Sequence, residues 1–209
     1  MKILIATPAY AQQVNNEMVL SLIRAIEHLR SNNHSVNWYS PSSSILSFNR
    51  NLACDVAIKE GYDWLLFWDG DISVDEPDFI EKMSDLGHKT TGDIIGLPVV
   101  LKGEPKTYNC AFKGIDSAEG YINYNSADNP LRRDPFEVDV IGTGVMMIWV
   151  NALKKITPPY FFFIDTHKEK AGFFPEDWNF CERMTDVVGT KIIADPRFRV
   201  SHWGIKEFV

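Results

Sequence analysis

Two aspartates separated by one glycine, Asp69-Gly70-Asp71, follow the apolar run from Trp64 to Trp68. Carboxylate oxygens suit hard divalent cations, and a cation held by few protein ligands keeps positions open for substrate phosphates. The glycine would let the backbone turn so that both carboxylates face one point. The same tripeptide also occurs in surface turns. Its place directly after a strand-like run favours the cation site over a plain turn.

A second candidate ligand, His202, lies in a short strand-like run near the end of the chain. Imidazole suits a borderline ion such as Mn²⁺ better than a purely hard ion. A lone histidine is more often structural than a ligand. The neighbouring Trp203-Gly204 and the basic Lys206 just beyond strengthen the ligand interpretation of His202.

Two acidic residues, Glu176 and Asp177, open a predicted helix directly after Pro175. Acidic side chains in the first turn offset the helix dipole, and this effect alone would account for them. The alternative is a general base that takes a proton from an acceptor hydroxyl. A glycosyl transfer needs one base and a stabilised leaving group, and one carboxylate with one metal ion meets both needs.

Two further features carry open interpretations. Arg50 lies within a helical segment, where it is either an exposed helix arginine or a partner for a diphosphate or a base edge. The run Gly142-Thr143-Gly144 marks either a β-bulge or a passage where the backbone approaches a sugar.

Hydrophobic periodicity predicts the elements that position these residues. Strands are predicted at 2–7, 35–39, 64–68 and 93–98, and helices at 15–30, around 52–61 and from 77 to about 86. This order predicts an open, mainly parallel sheet, in which ligands bind outside the carboxyl ends of the strands. Asp69 and Asp71 stand at such an end. The second half is less regular, with short strand-like runs, a helix from about 175 to 188 and a strand at 191–194.

Composition narrows the classes of partner. The net charge of −7 comes without a concentrated basic patch, which argues against nucleic acid. An acidic protein that binds a diphosphate needs local positive charge, which a divalent cation supplies. The three cysteines are widely spaced and fit neither a disulfide framework nor a zinc motif, so we expect a reducing, cytoplasmic compartment. The apolar N-terminal run stops at Pro8, too short for a signal peptide or a membrane span.

Six short motifs occur in one order along almost the whole chain: Ile5–Tyr10, Asn49–Ala53, Trp68–Ile72, Gly142–Gly144, Glu176–Cys181 and His202–Gly204. This ordered set resembles the GT-A glycosyltransferases, especially the compact ones of phages, large DNA viruses and bacteria. The resemblance implies the α/β GT-A (nucleotide-diphospho-sugar transferase) fold, an open, mixed, mainly parallel sheet flanked by helices. It also implies one domain over 1–209, with a nucleotide-binding half (1–100) and an acceptor and sugar-binding half (101–209).

The resemblance also implies roles for individual residues. Asp71 would bind the metal directly with His202 as the second protein ligand, Asp69 would hold the ribose or a metal-bound water, and Asp177 would match the catalytic base of inverting members. The residues implied for nucleotide binding are Thr7, Pro8, Ala9, Tyr10, Arg50, Trp68, Asp69, Gly70, Asp71 and Lys206. Those implied for the sugar or acceptor are Gly142, Thr143, Gly144, Glu176 and Trp203.

The implied activity moves a hexose or deoxyhexose from a UDP-sugar to a glycan, a glycoprotein or another hydroxyl acceptor, with Mn²⁺ or Mg²⁺ and with inversion. Gly70 stands where the family has a bulky residue, which leaves the choice of donor open. Three alternatives remain: an Asp-X-Asp phosphohydrolase or phosphotransferase, a catalytically inactive sugar-nucleotide-binding module, and a nucleotidyltransferase. The phosphohydrolase class carries its aspartate pair after the first strand, and a nucleotidyltransferase carries a glycine-rich loop there, which Thr7-Pro8-Ala9-Tyr10 does not match.

Overall fold

The computed structural model describes residues 1–9, 13–103, 106–113, 121–125, 132–165, 173–204 and 207–208. Within these ranges the helices are α1 (Asn16–Ser31), α2 (Leu46–Lys59), α3 (Phe79–Thr90), α4 (Val150–Leu153) and α5 (Glu176–Val188). The strands are β1 (Lys2–Ala6), β2 (Ser35–Tyr39), β3 (Trp64–Trp68), β4 (Ile72–Val74), β5 (Gly92–Gly96), β6 (Thr107–Lys113), β7 (Tyr121–Asn125), β8 (Phe136–Val138), β9 (Val140–Ile141), β10 (Val145–Trp149), β11 (Ile164–Asp165), β12 (Phe173–Phe174), β13 (Lys191–Ala194), β14 (Val200–Trp203) and β15 (Glu207–Phe208).

The centre of the fold is a seven-stranded sheet in the order β2-β1-β3-β10-β5-β13-β8. Strands β1, β2, β3, β5 and β13 point in one direction, while β10 and β8 run against their neighbours. The predicted α/β fold with an open, mixed, mainly parallel sheet flanked by helices is therefore confirmed. Strand β10 comes late in the chain yet lies between β3 and β5, so both halves of the sequence contribute to one sheet.

Strand β3 is apolar throughout because both of its faces are covered. Leu65 and Phe67 belong to the core that packs against α2, α4 and α5. Trp64, Leu66 and Trp68 belong to the core on the opposite face, against α1 and α3. Alternate side chains of a strand point to opposite faces, so a strand buried on both sides reads as a continuous apolar run. This burial fixes the position of the polar residues that follow directly after Trp68.

A small second sheet begins immediately after Asp71. Strands β15, β14 and β4 pair in that order, and His202 lies opposite Ile72 in the antiparallel pair of β14 with β4. The three-residue strand β4 is too short for hydrophobic periodicity to reveal, and the sequence did not predict it. Its pairing brings the end of the chain beside the Asp-Gly-Asp segment.

Two further expectations concern the chain as a whole. Among the described residues, no helix combines the length and apolar character that a membrane crossing requires. Cys54, Cys110 and Cys181 are buried and free.

Candidate active site

The polar residues singled out in the sequence gather where the parallel strands of the central sheet end. The carboxyl ends of β1 and β3 lie here and, because β10 is antiparallel to β3, so does the start of β10. A cleft of about 500 Å³ opens here, and its lining residues are Pro8, Gln13, Val14, Asn15, Leu46, Asp69, Gly70 and Asp71. A cleft of this size accommodates a small-molecule ligand. A larger cleft of about 620 Å³ lies along the edge strand β2, and none of the described candidate site residues lines it.

Gly70 lies in the turn after β3, and the side chain of Val14 packs closely against it. Its φ is not positive, and a Cβ at this position would lie 3.0 Å from Val14 Cγ1. The Gly70 carbonyl accepts a hydrogen bond of 2.6 Å from the Asn15 amide. The chain does turn at Gly70-Asp71, where the Ile72 amide donates to the Asp69 carbonyl at 3.2 Å, and the segment before α1 crosses directly over Gly70.

Asp71 faces two basic side chains that reach the same oxygen. Asp71 Oδ2 lies 2.5 Å from Lys102 Nζ and 3.4 Å from His202 Nε2. Burial alone would raise the pKa of Asp71, but hydrogen bonds from His202 and Lys102 outweigh it and lower the pKa to about 2. Asp71 is therefore a permanent anion at the mouth of the cleft.

The His202 ring is oriented by a backbone carbonyl. Its Nδ1 lies 2.8 Å from the Val100 carbonyl oxygen, which only accepts hydrogen bonds, so Nδ1 carries the proton. Nε2 faces Asp71 Oδ2: with a proton it donates a hydrogen bond to that oxygen, and without one its lone pair is available to an ion. Metal-binding histidines are commonly held in this way, with one nitrogen donating to a carbonyl and the other free for the ion. Asp71 and His202 could therefore hold a divalent cation between them.

Asp69 contacts a different set of residues from Asp71. Its amide donates to the Gly144 carbonyl at 2.9 Å, and its Oδ1 lies 3.9 Å from Arg50 Nη2. Burial raises the pKa of Asp69 to about 6; Arg50 opposes this shift, and the nearby Asp71 and Asp177 add to it. Among the described residues no three His, Cys, Asp or Glu side chains are grouped to hold a metal. Asp69 is therefore not gathered with Asp71 and His202 into one ligand set.

Arg50 is a buried bridge rather than an exposed helix arginine. Its side chain is almost completely inaccessible, and Nη1 donates to the carboxylate of Glu176, which is also buried. Burial raises the pKa of Glu176 despite the opposing charge of Arg50. The guanidinium therefore ties the start of α5 to α2 and to Asp69 at the end of β3.

Asp177 lies beside Glu176 but is more accessible. Burial raises its pKa above the ordinary value, against the lowering effects of Arg50 and of hydrogen bonds from the Trp178 and Thr143 amides. The Trp178 amide lies 2.9 Å from Asp177 Oδ1. The start of α5 and the turn before β10 thus hold a carboxylate with an elevated pKa near Asp69.

Comparisons with known proteins support the architecture. No protein-family model matches the chain, and no curated protein matches it. A197 from STIV superposes with a TM-score of 0.62 at 19% identity, over 98% of this chain and 86% of that protein. Apo-UDP-glucose pyrophosphorylase superposes with a TM-score of 0.50 at 11% identity, over 97% and 93%. The fold is of the GT-A type.

A more remote match involves a glycosyltransferase that takes part in glycosylation of the major capsid of PBCV-1. Its TM-score is 0.41 at 12% identity, over 74% of this chain and 63% of that protein, which is too distant to carry an argument. At 19% and 11% identity, the likenesses to A197 and to the pyrophosphorylase show the fold alone.

Several residues predicted to contact the nucleotide lie in the protein interior rather than in the cleft. The Trp68 side chain is fully buried, and its Nε1 donates to the Ile72 carbonyl at 2.7 Å. The Thr7 side chain is also fully buried and accepts a hydrogen bond of 3.0 Å from Trp38 Nε1. Ala9 is buried, whereas Pro8 lines the cleft. Tyr10 and Lys206 lie outside the described residues.

The residues predicted for the sugar or acceptor are packed mainly against protein. A Cβ on Gly142 would lie 2.9 Å from Asn109 Nδ2, and one on Gly144 would lie 2.7 Å from Ile72 Cδ1. The side chain of Thr143 is buried, as is that of Glu176. Trp203 is partly exposed, with its Nε1 donating to Ser73 Oγ at 2.8 Å and its amide donating to the Asp71 carbonyl at 2.8 Å. The glycines therefore meet a packing requirement of the GT-A core.

Lys102 is a site residue that the sequence did not reveal. It lies in a Gly-, Asn- and Pro-rich stretch without periodicity, so neither its position nor its partner could be read from the pattern. The same stretch contains Val100, whose carbonyl orients His202.

Proposed function

We propose that this chain is a metal-dependent glycosyltransferase that binds the diphosphate of a UDP-sugar through a divalent cation, Mn²⁺ or Mg²⁺, held by Asp71 and His202. One observation carries this proposal: His202 Nε2 faces Asp71 Oδ2 at 3.4 Å while Nδ1 is tied to the Val100 carbonyl. With two protein ligands, the remaining positions on the ion are left for diphosphate oxygens and water.

The charge balance of the site supports the same proposal. Four carboxylates, those of Asp69, Asp71, Glu176 and Asp177, share this edge of the sheet with two basic side chains, Arg50 and Lys102. A diphosphate brought into this surplus of negative charge would be repelled. A bound divalent cation reverses the local balance and gives the phosphates a partner.

When bound, the cation would neutralise the negative charge that develops on the leaving diphosphate. Asp177 is proposed to take the proton of the acceptor hydroxyl, and its raised pKa suits a general base better than an ordinary aspartate. The acceptor oxygen attacks the anomeric carbon as the bond from that carbon to the diphosphate oxygen breaks, and the electron pair leaves with UDP. Attack from the face opposite UDP inverts the anomeric configuration.

The donor would carry a hexose or deoxyhexose, and the acceptor would be the hydroxyl of a glycan or glycoprotein. These choices rest on the resemblance of the sequence motifs to the GT-A glycosyltransferases. A screen of UDP-, GDP- and dTDP-sugars by thermal shift with Mn²⁺ identifies the donor, because a ligand that binds the folded state raises the unfolding temperature.

Metal removal tests the proposal directly. EDTA should abolish UDP release from the donor in the presence of acceptor, and Mn²⁺ or Mg²⁺ should restore it. Asp71→Asn should lose both Mn²⁺ binding, measured by electron paramagnetic resonance, and turnover. Asp186→Asn, a change at an exposed aspartate of α5, is the matched control and should retain both.

Three results would each contradict a part of this proposal. Mn²⁺ binding by Asp71→Asn with wild-type affinity would remove the metal site, and retention of anomeric configuration in the product would remove the role of Asp177. Release of phosphate from a simple aryl phosphate, without sugar transfer, would favour a phosphohydrolase instead.

A further inference from the structure

One short segment, residues 99–102, contacts both of the proposed cation ligands, Asp71 and His202. The Val100 carbonyl orients His202 at 2.8 Å, and Lys102 Nζ lies 2.5 Å from Asp71 Oδ2. The segment is itself anchored to the strand β6. The Val99 amide donates to Asn109 Oδ1 at 2.8 Å, and the Leu101 amide donates to the Thr107 carbonyl at 2.8 Å.

The Lys102 ammonium occupies a place that a divalent cation would need. Both Lys102 Nζ and His202 Nε2 approach the same oxygen, Asp71 Oδ2. A cation coordinated by Asp71 and His202 would lie beside that oxygen and would repel the ammonium at close range. Lys102 is partly exposed on a long flexible stem, so it can leave without disturbing the fold.

We propose that Lys102 is a built-in competitor for the divalent cation at Asp71, and that the displaced ammonium then pairs with the diphosphate of the donor. The inference rests on the proposed function and adds a regulation to it. Before cation binding, Lys102 neutralises Asp71. After cation binding, the same side chain becomes an extra positive group beside the phosphates, so cation and nucleotide bind cooperatively.

Lys102→Met separates the two roles because they predict effects of opposite sign. Without the competing ammonium, Mn²⁺ alone should bind about three- to tenfold more tightly. At saturating Mn²⁺, UDP should bind about three- to tenfold more weakly, because one phosphate partner is lost. Mn²⁺ affinity is measured by electron paramagnetic resonance and UDP affinity by isothermal titration calorimetry.

Two further variants serve as controls. Lys191→Met makes the same change in net charge as Lys102→Met, at an exposed ion pair with Glu137. Lys191 begins β13, so it lies at the end of the parallel strands opposite the site. Both of its affinities should equal those of the wild type. Lys102→Arg keeps the competing charge, so its Mn²⁺ affinity should stay within about twofold of the wild type, and it provides a second variant if Lys102→Met folds poorly.

The outcomes distinguish this inference from the proposed function. One result would overturn only the competition between Lys102 and the cation. In it, Lys102→Met leaves the Mn²⁺ affinity unchanged or weaker, while Asp71→Asn abolishes Mn²⁺ binding. UDP affinity that is unchanged in Lys102→Met overturns the transfer of Lys102 to the phosphates. If Asp71→Asn binds Mn²⁺ as tightly as the wild type, the proposed function itself is overturned.

Discussion

Replacement of Arg50 by methionine removes the positive charge between two carboxylates while keeping a side chain of similar length. Arg50 is 3% exposed and Glu176 is 6% exposed, and the two side chains are directly hydrogen bonded. Asp69, the second carboxylate, lies 3.9 Å from the guanidinium and is 30% exposed. Most of the cost should therefore come from Glu176, which water cannot solvate once its partner is gone.

The size of the effect follows from this burial. Removing one partner of a buried ion pair costs about 3–5 kcal/mol, because the other charge is left uncompensated. In a chain of this length, each kcal/mol lowers the midpoint of thermal unfolding by about 2–4 °C. Arg50→Met should therefore unfold roughly 6–20 °C below the wild type.

Thermal and urea unfolding of four proteins tests this reasoning. In the Arg50→Met background, Glu176→Gln should recover at least half of the lost stability because it removes the uncompensated charge. The control is Arg199→Met, since Arg199 pairs with Asp75 at 3.5 Å and both side chains are more than half exposed. That surface pair should contribute less than about 1 kcal/mol. A loss below about 1 kcal/mol in Arg50→Met, or no recovery with Glu176→Gln, would refute the buried bridge.

The deficit of Arg50→Met should also depend on pH. The pKa of Glu176 is raised by burial above its ordinary value of 4.5 even with Arg50 present, and loss of Arg50 should raise it further. A carboxyl whose pKa is higher in the folded state ionises first in the unfolded chain, so folding loses stability as pH rises above 4.5. The deficit should be largest at neutral pH and shrink toward pH 4.5; a constant deficit would exclude Glu176 as its source.

Three other substitutions address the chemistry and the backbone of the site. Asp177→Asn should keep binding of UDP and Mn²⁺ while losing about two to four orders of magnitude in turnover, and full activity would remove it as the base. Gly142→Ala would place a methyl 2.9 Å from Asn109 Nδ2 and should cost about 1–3 kcal/mol in urea unfolding; an unchanged midpoint would contradict the close packing. Gly70→Ala would push on Val14 and should weaken UDP binding by calorimetry, with Val14→Ala restoring it; no rescue would exclude this contact.

The sequence predicted the structure best where burial of apolar side chains was the dominant force. The run from Trp64 to Trp68 predicted a strand with the observed bounds because burial of both faces leaves little freedom in residue type. Strand 35–39 and strand 191–194 were also predicted with the observed bounds. Since the carboxyl ends of such strands meet at one edge, the location of Asp69 and Asp71 followed from the strand assignment.

The sequence was least informative where long-range pairing decides the structure. Strand β4 has three residues, and its partner β14 lies near the far end of the chain, so no local pattern announces their pairing. The approach of Lys102 to Asp71 depends on this pairing and on the anchoring of Val99 by Asn109. Burial of Arg50 was also hidden, because a helix arginine has the same local sequence whether it is exposed or bridged to Glu176.

Asp69 and Asp71 stand two positions apart, yet their environments shift their pKa values in opposite directions. Burial raises the pKa of Asp69 to about 6, whereas hydrogen bonds from His202 and Lys102 lower that of Asp71 to about 2. Neighbouring acids whose pKa values diverge usually serve different roles. A metal ligand must be ionised without competition from protons, which suits Asp71. Asp69, whose pKa is raised and whose carboxylate lies beside Arg50, suits a hydrogen bond to a sugar hydroxyl of the nucleotide rather than a direct bond to the cation.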